Sequence, residues 1–135
     1  MRRKFVVMSE FTFVVRPESF CIRRIPLDRP LDPSCLNADW YSITRNAEEL
    51  SLVVPEHVDI GAGECERGWS CLTIQGTLEF GMIGVLATVS RILAEANVSI
   101  FVVSTYNTDH ILVRTEDLDT AVAALSRAGH RVARP

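Results

Sequence analysis

The chain has 135 residues, which is enough for one ordinary domain or for two very small domains that share a core. Its apolar fraction of 47% and its charged fraction of 23% are typical of globular proteins and argue against a disordered chain. The formal net charge is −3 and both signs are spread evenly, so the sequence offers no basic face and predicts no nucleic-acid partner.

The first ten residues resemble a signal peptide only at their start. Basic residues precede a short apolar run, but Ser9 and Glu10 interrupt that run and no small-residue cleavage site follows. No apolar stretch of the chain is long enough to span a bilayer. Residues 1–10 are therefore predicted to be an N-terminal extension of a soluble, cytoplasmic protein that makes no membrane contact.

Residues 11–58 have an irregular pattern of short strands. β-Branched and aromatic residues predict strands over residues 11–15, 20–24, 40–45 and 51–54. Three prolines between residues 25 and 39 leave room for one helical turn, at residues 34–37, and a second short turn is predicted at residues 47–50. Glycines and mixed charges indicate that residues 59–68 form a linker.

Residues 69–134 are more regular and predict the order β-α-β-β-α-β. Their strands are predicted over residues 69–75, 98–105, 110–114 and 131–133. A helix is predicted from Met82 to Ala96, because apolar residues recur there every three or four positions, and Asn97 can end it in the left-handed conformation. A second helix is predicted between Thr115, which can cap it, and Gly129, which can end it.

This element order is the ferredoxin-like plan, in which four antiparallel strands carry both helices on one face. The other face of the sheet stays open, and we expect a partner to cover it, because exposed apolar area costs roughly 25 cal/mol per Å². The predicted fold class is therefore α+β. The two halves of the chain share an element order, which is consistent with a worn internal duplication.

Two polar segments follow the predicted strands. In residues 76–84, glycines near a helix start let the backbone approach an anion, and the free N–H groups there suit a carboxylate. In residues 104–109, Asp109 can accept hydrogen bonds from an ammonium or guanidinium group. Each segment has a structural alternative, since the glycines can simply shape the connection, and Asn107 and Asp109 can bond their own backbone in Asx turns.

No catalytic or metal site emerges from the sequence. The histidines lie far apart, and His110 alternates with strand residues as a partly buried side chain does. Four cysteines, at positions 21, 35, 65 and 71, form no Cys-x-x-Cys pair and are interpreted as reduced, mostly buried thiols. The sequence therefore predicts a protein that is not an enzyme and that holds no metal or cofactor.

The run from Ser104 to Val113 reads Ser-Thr-Tyr-Asn-Thr-Asp-His-Ile-Leu-Val. It resembles Ser-Thr-Tyr/Phe-x-Thr/Phe-Asp-x-Ile/Ala-Leu-Val, a motif of small paired ACT-domain proteins. Residues 78–80 with 84–87 are similar to the loop-to-helix segment of that family, and residues 41–45 with 49–56 are similar to the segment before its linker. The resemblance covers about residues 11–133. The family includes the CASTOR arginine sensors of animal nutrient signalling, which resemble two such pairs fused in one chain.

The resemblance implies two ferredoxin-like ACT units of βαββαβ order, with a degenerate one at residues 11–58 and a regular one at residues 69–135. It implies a non-enzymatic regulatory module that binds a small ligand, usually an amino acid, at an ACT–ACT interface. For a single pair, that interface requires a homodimer, and regulatory output passes to a separate protein partner. The alternatives are an assembly domain that has lost its ligand, and an enzyme whose site, with Asp109 and His110, forms at the dimer interface.

The resemblance also implies a ligand site made of two segments. Gly84 and Val85 would offer backbone N–H groups, Thr105 and Tyr106 would line the pocket, and Asp109 would take a cationic group. The other expected ligand-binding residues in the same segments are Glu79, Phe80, Met82 and Ser104. Tyr106 and Thr108 replace aromatic residues that are common in the sensors, so arginine itself is not implied as the ligand.

Overall fold

The structure is a computed structural model, and it describes residues 4–5, 10–61, 63–76 and 82–135. The chain divides into two compact units. The larger unit comprises residues 1–17 and 70–135, and the smaller unit comprises residues 18–69. The smaller unit is therefore inserted into the sequence of the larger one.

The strands and helices have the following bounds in chain order. The strands are β1 (Lys4–Phe5), β2 (Thr12–Val15), β3 (Phe20–Ile25), β4 (Ser42–Arg45), β5 (Leu50–Pro55), β6 (Glu64–Ile74), β7 (Met82–Ile83), β8 (Ile100–Ser104), β9 (Asp109–Arg114) and β10 (Arg131–Ala133). The α-helices are α1 (Val85–Glu95) and α2 (Leu118–Arg127), and short 3-10 helices cover Pro33–Asn37 and Thr115–Asp117. None of the helices in the described residues is long and apolar enough to cross a membrane.

The sheet of the larger unit contains a strand that the sequence placed elsewhere. Its order is β10-β2-β6-β9-β8, so β2 separates the last strand from β6. Because β2 is antiparallel to β6, β10 pairs with β2 in parallel, with Val132 opposite Phe13. The predicted sheet of four antiparallel strands is thus wrong in this respect. Burial explains the insertion, since β2 adds Phe13 and Val15 to the core under the helices.

Both helices of the larger unit pack into that same core, as their apolar periodicity predicts. The buried stripe of α1 is Val85, Val89 and Leu93, and that of α2 is Leu118, Ala121, Ala124 and Leu125. Helix α1 starts at Val85 rather than at Met82, because Gly84 has a left-handed backbone with φ 86°. Asn97, with φ 62°, and Gly129, with φ 96°, end the two helices as predicted.

Thr115 does not cap α2. Its hydroxyl oxygen lies 2.9 Å from Oγ of Ser70 on β6, and the 3-10 helix Thr115–Asp117 separates it from the start of α2. Among the residues of the predicted N-terminal extension, Lys4–Phe5 form β1, which pairs in parallel with β7. Neither feature follows a local sequence rule, since each depends on a partner far along the chain.

The smaller unit is an antiparallel sheet of order β6-β3-β5-β4. Its core consists of Cys21, Ile25, Cys35, Leu50, Leu52, Val54, Val58 and Ile60. The turn predicted at residues 34–37 is the 3-10 helix Pro33–Asn37, which Asp32 caps through the N–H of Ser34. The turn predicted at residues 47–50 is not helical, because residues 46–49 join β4 to β5 in a hairpin turn, in which the N–H of Asn46 donates to the carbonyl of Glu49 over 3.1 Å.

The predicted domain boundaries differ from these two units. Residues 11–17, expected in the first domain, belong to the larger unit, and residues 64–68, expected in the linker, belong to strand β6. Gly68 was a reason to predict a linker, but its φ of 79° accompanies a β-bulge opposite β3. Strand β6 supplies residues 64–69 to the smaller unit and residues 70–74 to the larger unit.

Candidate functional site

The β8–β9 hairpin carries the polar residues of the predicted site. The N–H of Thr105 donates to the carbonyl of Thr108 over 2.9 Å, which leaves Tyr106 and Asn107 at the tip. Ser104 lies opposite Asp109, and its hydroxyl donates to Oδ1 of that carboxylate over 2.6 Å. Asp109 therefore bonds the neighbouring strand, in contrast to the Asx-turn alternative. Within the described part of the chain, Oδ2 of Asp109 has no hydrogen-bond partner.

Thr108 fixes this hairpin to the end of strand β6. Its side chain is buried, and its Oγ1 donates to the carbonyl of Ile74, the last residue of β6, over 2.8 Å. The chain that leaves Ile74 leads to Gly84 and α1, so both predicted segments start from the same end of one sheet. The only sequence signal for this role of Thr108 was a hydroxyl residue beside a tight turn.

The start of α1 offers backbone N–H groups that can bind an anion. Gly84 is its N-cap and supplies no side-chain hydrogen bond, and no acidic residue stands in the first turn. The carbonyl of Gly84 accepts the N–H of Thr88 over 2.8 Å, so the N–H groups of the intervening residues have no partner within the helix. The side chain of Val85 is buried in the core, so Val85 can reach a ligand only through its N–H.

The nine expected site residues are described to different extents. Ser104, Thr105, Tyr106 and Asp109 come together on the hairpin, and Tyr106 is 78% exposed at its tip. Gly84 and Val85 form the start of α1. Met82 lies in strand β7, where the structure describes the backbone alone. Glu79 and Phe80 lie outside the described residues. In the described residues, no group of three His, Cys, Asp or Glu side chains is placed to hold a metal.

The larger unit contains two buried histidines, His110 in strand β9 and His130 directly before strand β10. Nδ1 of His110 lies 2.8 Å from Oγ1 of Thr73, and burial lowers the pKa of His110, an effect that the charge of Arg16 reinforces and that of Asp109 opposes. His110 lies in strand β9 as predicted, and its side chain is buried rather than partly buried. Nδ1 of His130 accepts the N–H of Phe11 over 3.0 Å, and burial lowers the pKa of His130 against the charge of Glu10.

We expect the protein to lose stability as the pH falls below about 6.5, the ordinary pKa of histidine. The pKa of His110 and that of His130 are lower in the folded protein than in the unfolded chain. For each histidine, the unfolded chain therefore binds more protons at pH values between its unfolded and folded pKa. The contribution of these two histidines to the free energy of unfolding is therefore fully present above about pH 6.5 and declines below it. Urea unfolding at pH values from 8 to 5 measures the slope of the free energy of unfolding against pH.

The His130→Asn variant tests the assignment of this slope. Its Oδ1 can accept the N–H of Phe11, and it does not titrate in this window, so it should lose less stability than the wild type between pH 7 and pH 5. Equal slopes for the two proteins would contradict the role given to His130.

A family model described as the ACT domain matches residues 64–127. The cytosolic arginine sensor for mTORC1 subunit 1 of Rattus norvegicus is 30% identical over 105 residues, which cover 70% of this chain and 32% of the sensor. The chain thus spans about a third of the length of that curated relative.

Two solved structures resemble the chain over most of its length. A protein of Agrobacterium tumefaciens is 30% identical with a TM-score of 0.86, and the match covers 94% of this chain and 95% of that one. The ligand-free regulatory subunit of aspartate kinase from Thermus thermophilus is 11% identical with a TM-score of 0.64, and the match covers 91% of this chain and 99% of that one. The second likeness is one of fold alone.

Proposed function

We propose that this chain is a non-enzymatic regulatory module that binds an amino acid, because residues 64–127 match the ACT-domain family model. One relative supports the proposal, since it is named an arginine sensor, whereas the likeness to the regulatory subunit of aspartate kinase supports the fold alone. The sensor is also named cytosolic, which supports a cytoplasmic location. Regulatory output then passes to a separate protein.

The ligand class rests on an acid and a helix start in segments that both follow the same end of one sheet. An amino acid presents an ammonium group and a carboxylate a few ångströms apart. The carboxylate of Asp109 suits the ammonium group, and the N–H groups at the start of α1 suit the carboxylate. The bond from Thr108 to Ile74 supports their proximity, because it holds the hairpin at the end of β6 that leads to α1. We include Glu79, Phe80 and Met82 in the site as predictions from the family motif.

A homodimer is supported by the edge of the larger unit's sheet. Among the described strands, β8 pairs with β9 alone, so its other edge is open. Its apolar residues Ile100 to Val103 are all half-exposed. In an antiparallel pair, alternate residues of a strand direct their N–H groups to the partner strand. Because the N–H of Thr105 donates to Thr108, the N–H groups of Phe101 and Val103 also point to β9. The N–H groups of Ile100, Val102 and Ser104 point away from β9.

An apolar edge strand of this kind is a template for a second strand. We propose that it pairs with the β8 strand of a second copy, running antiparallel. The ligand-binding hairpin follows directly from β8, so this pairing would place the ligand near the interface. We also propose that the smaller unit is a degenerate ACT unit, because the two structural matches cover 94% and 91% of the chain and therefore include it.

The proposal is tested by thermal unfolding of the chain against each common amino acid at millimolar concentration, with its solution mass measured alongside. A ligand at one hundred times its Kd stabilises the folded state by about 2.7 kcal/mol, which raises the melting temperature by roughly 10 °C in a chain of this size. We expect one amino acid, or a few of similar chemistry, to produce this shift on a dimer.

The Val102→Pro variant separates dimerisation from folding. Its lost N–H points away from β9, so the hairpin should persist with unchanged circular dichroism while the mass falls to that of a monomer. A dimer that responds to no amino acid would contradict the ligand proposal and favour an assembly domain. A monomer that responds to an amino acid would contradict the homodimer proposal and leave the ligand proposal in place.

A further inference from the structure

Strands β3 and β6 place two cysteines and an arginine on one face of the smaller unit. Cys65 of β6 lies opposite Arg23 of β3, and Cys21 projects from the same face as Arg23 because the two are two positions apart. Nε of Arg23 lies 3.3 Å from Sγ of Cys21. Cys65 is therefore the diagonal neighbour of Cys21 across the two strands, and its thiol is near enough to raise the pKa of the Cys21 thiol. Diagonal neighbours in a sheet are close enough for long side chains to meet, and here both are thiols.

The two thiols differ in access to solvent. Cys65 is exposed, whereas Cys21 is completely buried. An oxidant in solution can therefore reach Cys65 directly but not Cys21. Burial raises the pKa of the Cys21 thiol, and the guanidinium of Arg23 opposes that effect.

Arg23 is the group that favours the anionic form of Cys21. Only 6% of Arg23 is exposed, and its hydrogen bonds go to Sγ of Cys21 and, over 3.4 Å, to the carbonyl of Gly61. Within the described part of the chain, no carboxylate forms an ion pair with this guanidinium. A buried guanidinium next to a thiol stabilises the thiolate, which is the nucleophile in disulfide formation.

We propose that Cys65 and Cys21 form an intramolecular disulfide when the chain meets hydrogen peroxide. In the first step the Cys65 thiolate attacks a peroxide oxygen, the S–O bond forms, the O–O bond breaks, and Cys65 becomes a sulfenic acid while water leaves. In the second step the Cys21 thiolate attacks the sulfenyl sulfur, the S–S bond forms, the S–O bond breaks, and a second water leaves. Two thiols are oxidised by one hydrogen peroxide, and both thiol protons end in water.

The bond would change the smaller unit in a measurable way. It would join β3 to β6 and close a loop that contains β4 and β5. Closing a loop of this length removes conformational freedom from the unfolded chain, which raises the melting temperature by something on the order of 5–10 °C. This effect is independent of an amino-acid ligand, because Cys21 and Cys65 lie outside the proposed ligand site.

The test treats the full wild-type chain with hydrogen peroxide at neutral pH and follows its intact mass. We expect a loss of about 2 Da that a thiol reductant restores, and a peptide map that joins Cys21 to Cys65. The Cys65→Ser variant, altered at an exposed position, should show neither. In the Arg23→Gln variant the sulfenic acid should persist and be trapped by dimedone at least tenfold more, and the Arg23→Lys variant should restore the bond.

Three outcomes would overturn the proposal. Cys65 could stop at sulfenic or sulfinic acid while Cys21 remains open to alkylation after unfolding. Cys65 could instead join Cys65 of a second copy, which doubles the mass under non-reducing conditions. A disulfide could also form from Cys35 or Cys71. The wild-type peptide map distinguishes these outcomes even where the Arg23 variants fail to fold.

Discussion

The Phe13→Ala variant is expected to lower the free energy of unfolding by about 3–5 kcal/mol. Phe13 is completely buried, and it lies opposite Val132 of β10 on one side and Ile74 of β6 on the other. Its ring also contacts the ring of His130 edge-on, at a centroid distance of 5.9 Å. Truncation would leave a cavity in the core that both helices share, and urea unfolding measures the loss.

The Thr12→Ala variant is the matched control. Thr12 stands next to Phe13 on β2 but is only half-buried, so its truncation should change stability by less than about 1 kcal/mol. If both variants were equally mild, β2 would not belong to the core of the larger unit, and the order β10-β2-β6 would be wrong.

The Asp109→Asn variant is expected to weaken amino-acid binding by about 2–5 kcal/mol, which is at least roughly 30-fold in affinity. The amide keeps the shape of the carboxylate, and its oxygen can still accept the Ser104 hydroxyl, so the hairpin should fold as before. The variant removes the negative charge that we assign to the ammonium group of the ligand. The measurement is the ligand-dependent shift in melting temperature.

The Asp119→Asn variant controls for a general loss of negative charge. Asp119 stands on α2, its side chain is 88% exposed, and it pairs with Arg134. We expect it to respond to the ligand as the wild type does. An undiminished response in the Asp109 variant would remove Asp109 from the site and, with it, the main argument for an ammonium-bearing ligand.

The parts of the fold that obey local rules could be predicted from the sequence. The apolar periodicity located both helices, and Asn97 and Gly129 end them in the left-handed conformation as expected. The pairing of β10 with β2 was missed, because no local pattern shows which distant strand will lie beside another. Gly68 was misinterpreted for a related reason, since a glycine looks the same in a linker and in a β-bulge.

The candidate site also has a part that could be predicted from the sequence and a part that could not. The motif from Ser104 to Asp109 predicted polar residues at a strand end, and the structure brings them together on one hairpin. The bond from Thr108 to Ile74 was not predictable, because the partner of a hydroxyl depends on the register between β6 and β9. Residues 77–81, which include Glu79 and Phe80, lie outside the described residues, so their roles stay predictions.

The interruption of the larger unit by the smaller one affects the order in which the protein folds during synthesis. The ribosome makes residues 18–69 as one continuous piece, so the smaller unit can begin to fold early. The pairing of β2 with β10 must wait until β10 is made, since Phe11 beside β2 and His130 beside β10 meet across 119 positions of sequence. Contacts this distant slow folding. Nascent chains that lack β10 would therefore leave one edge of β2 unpaired, and those are the species that we expect chaperones to bind.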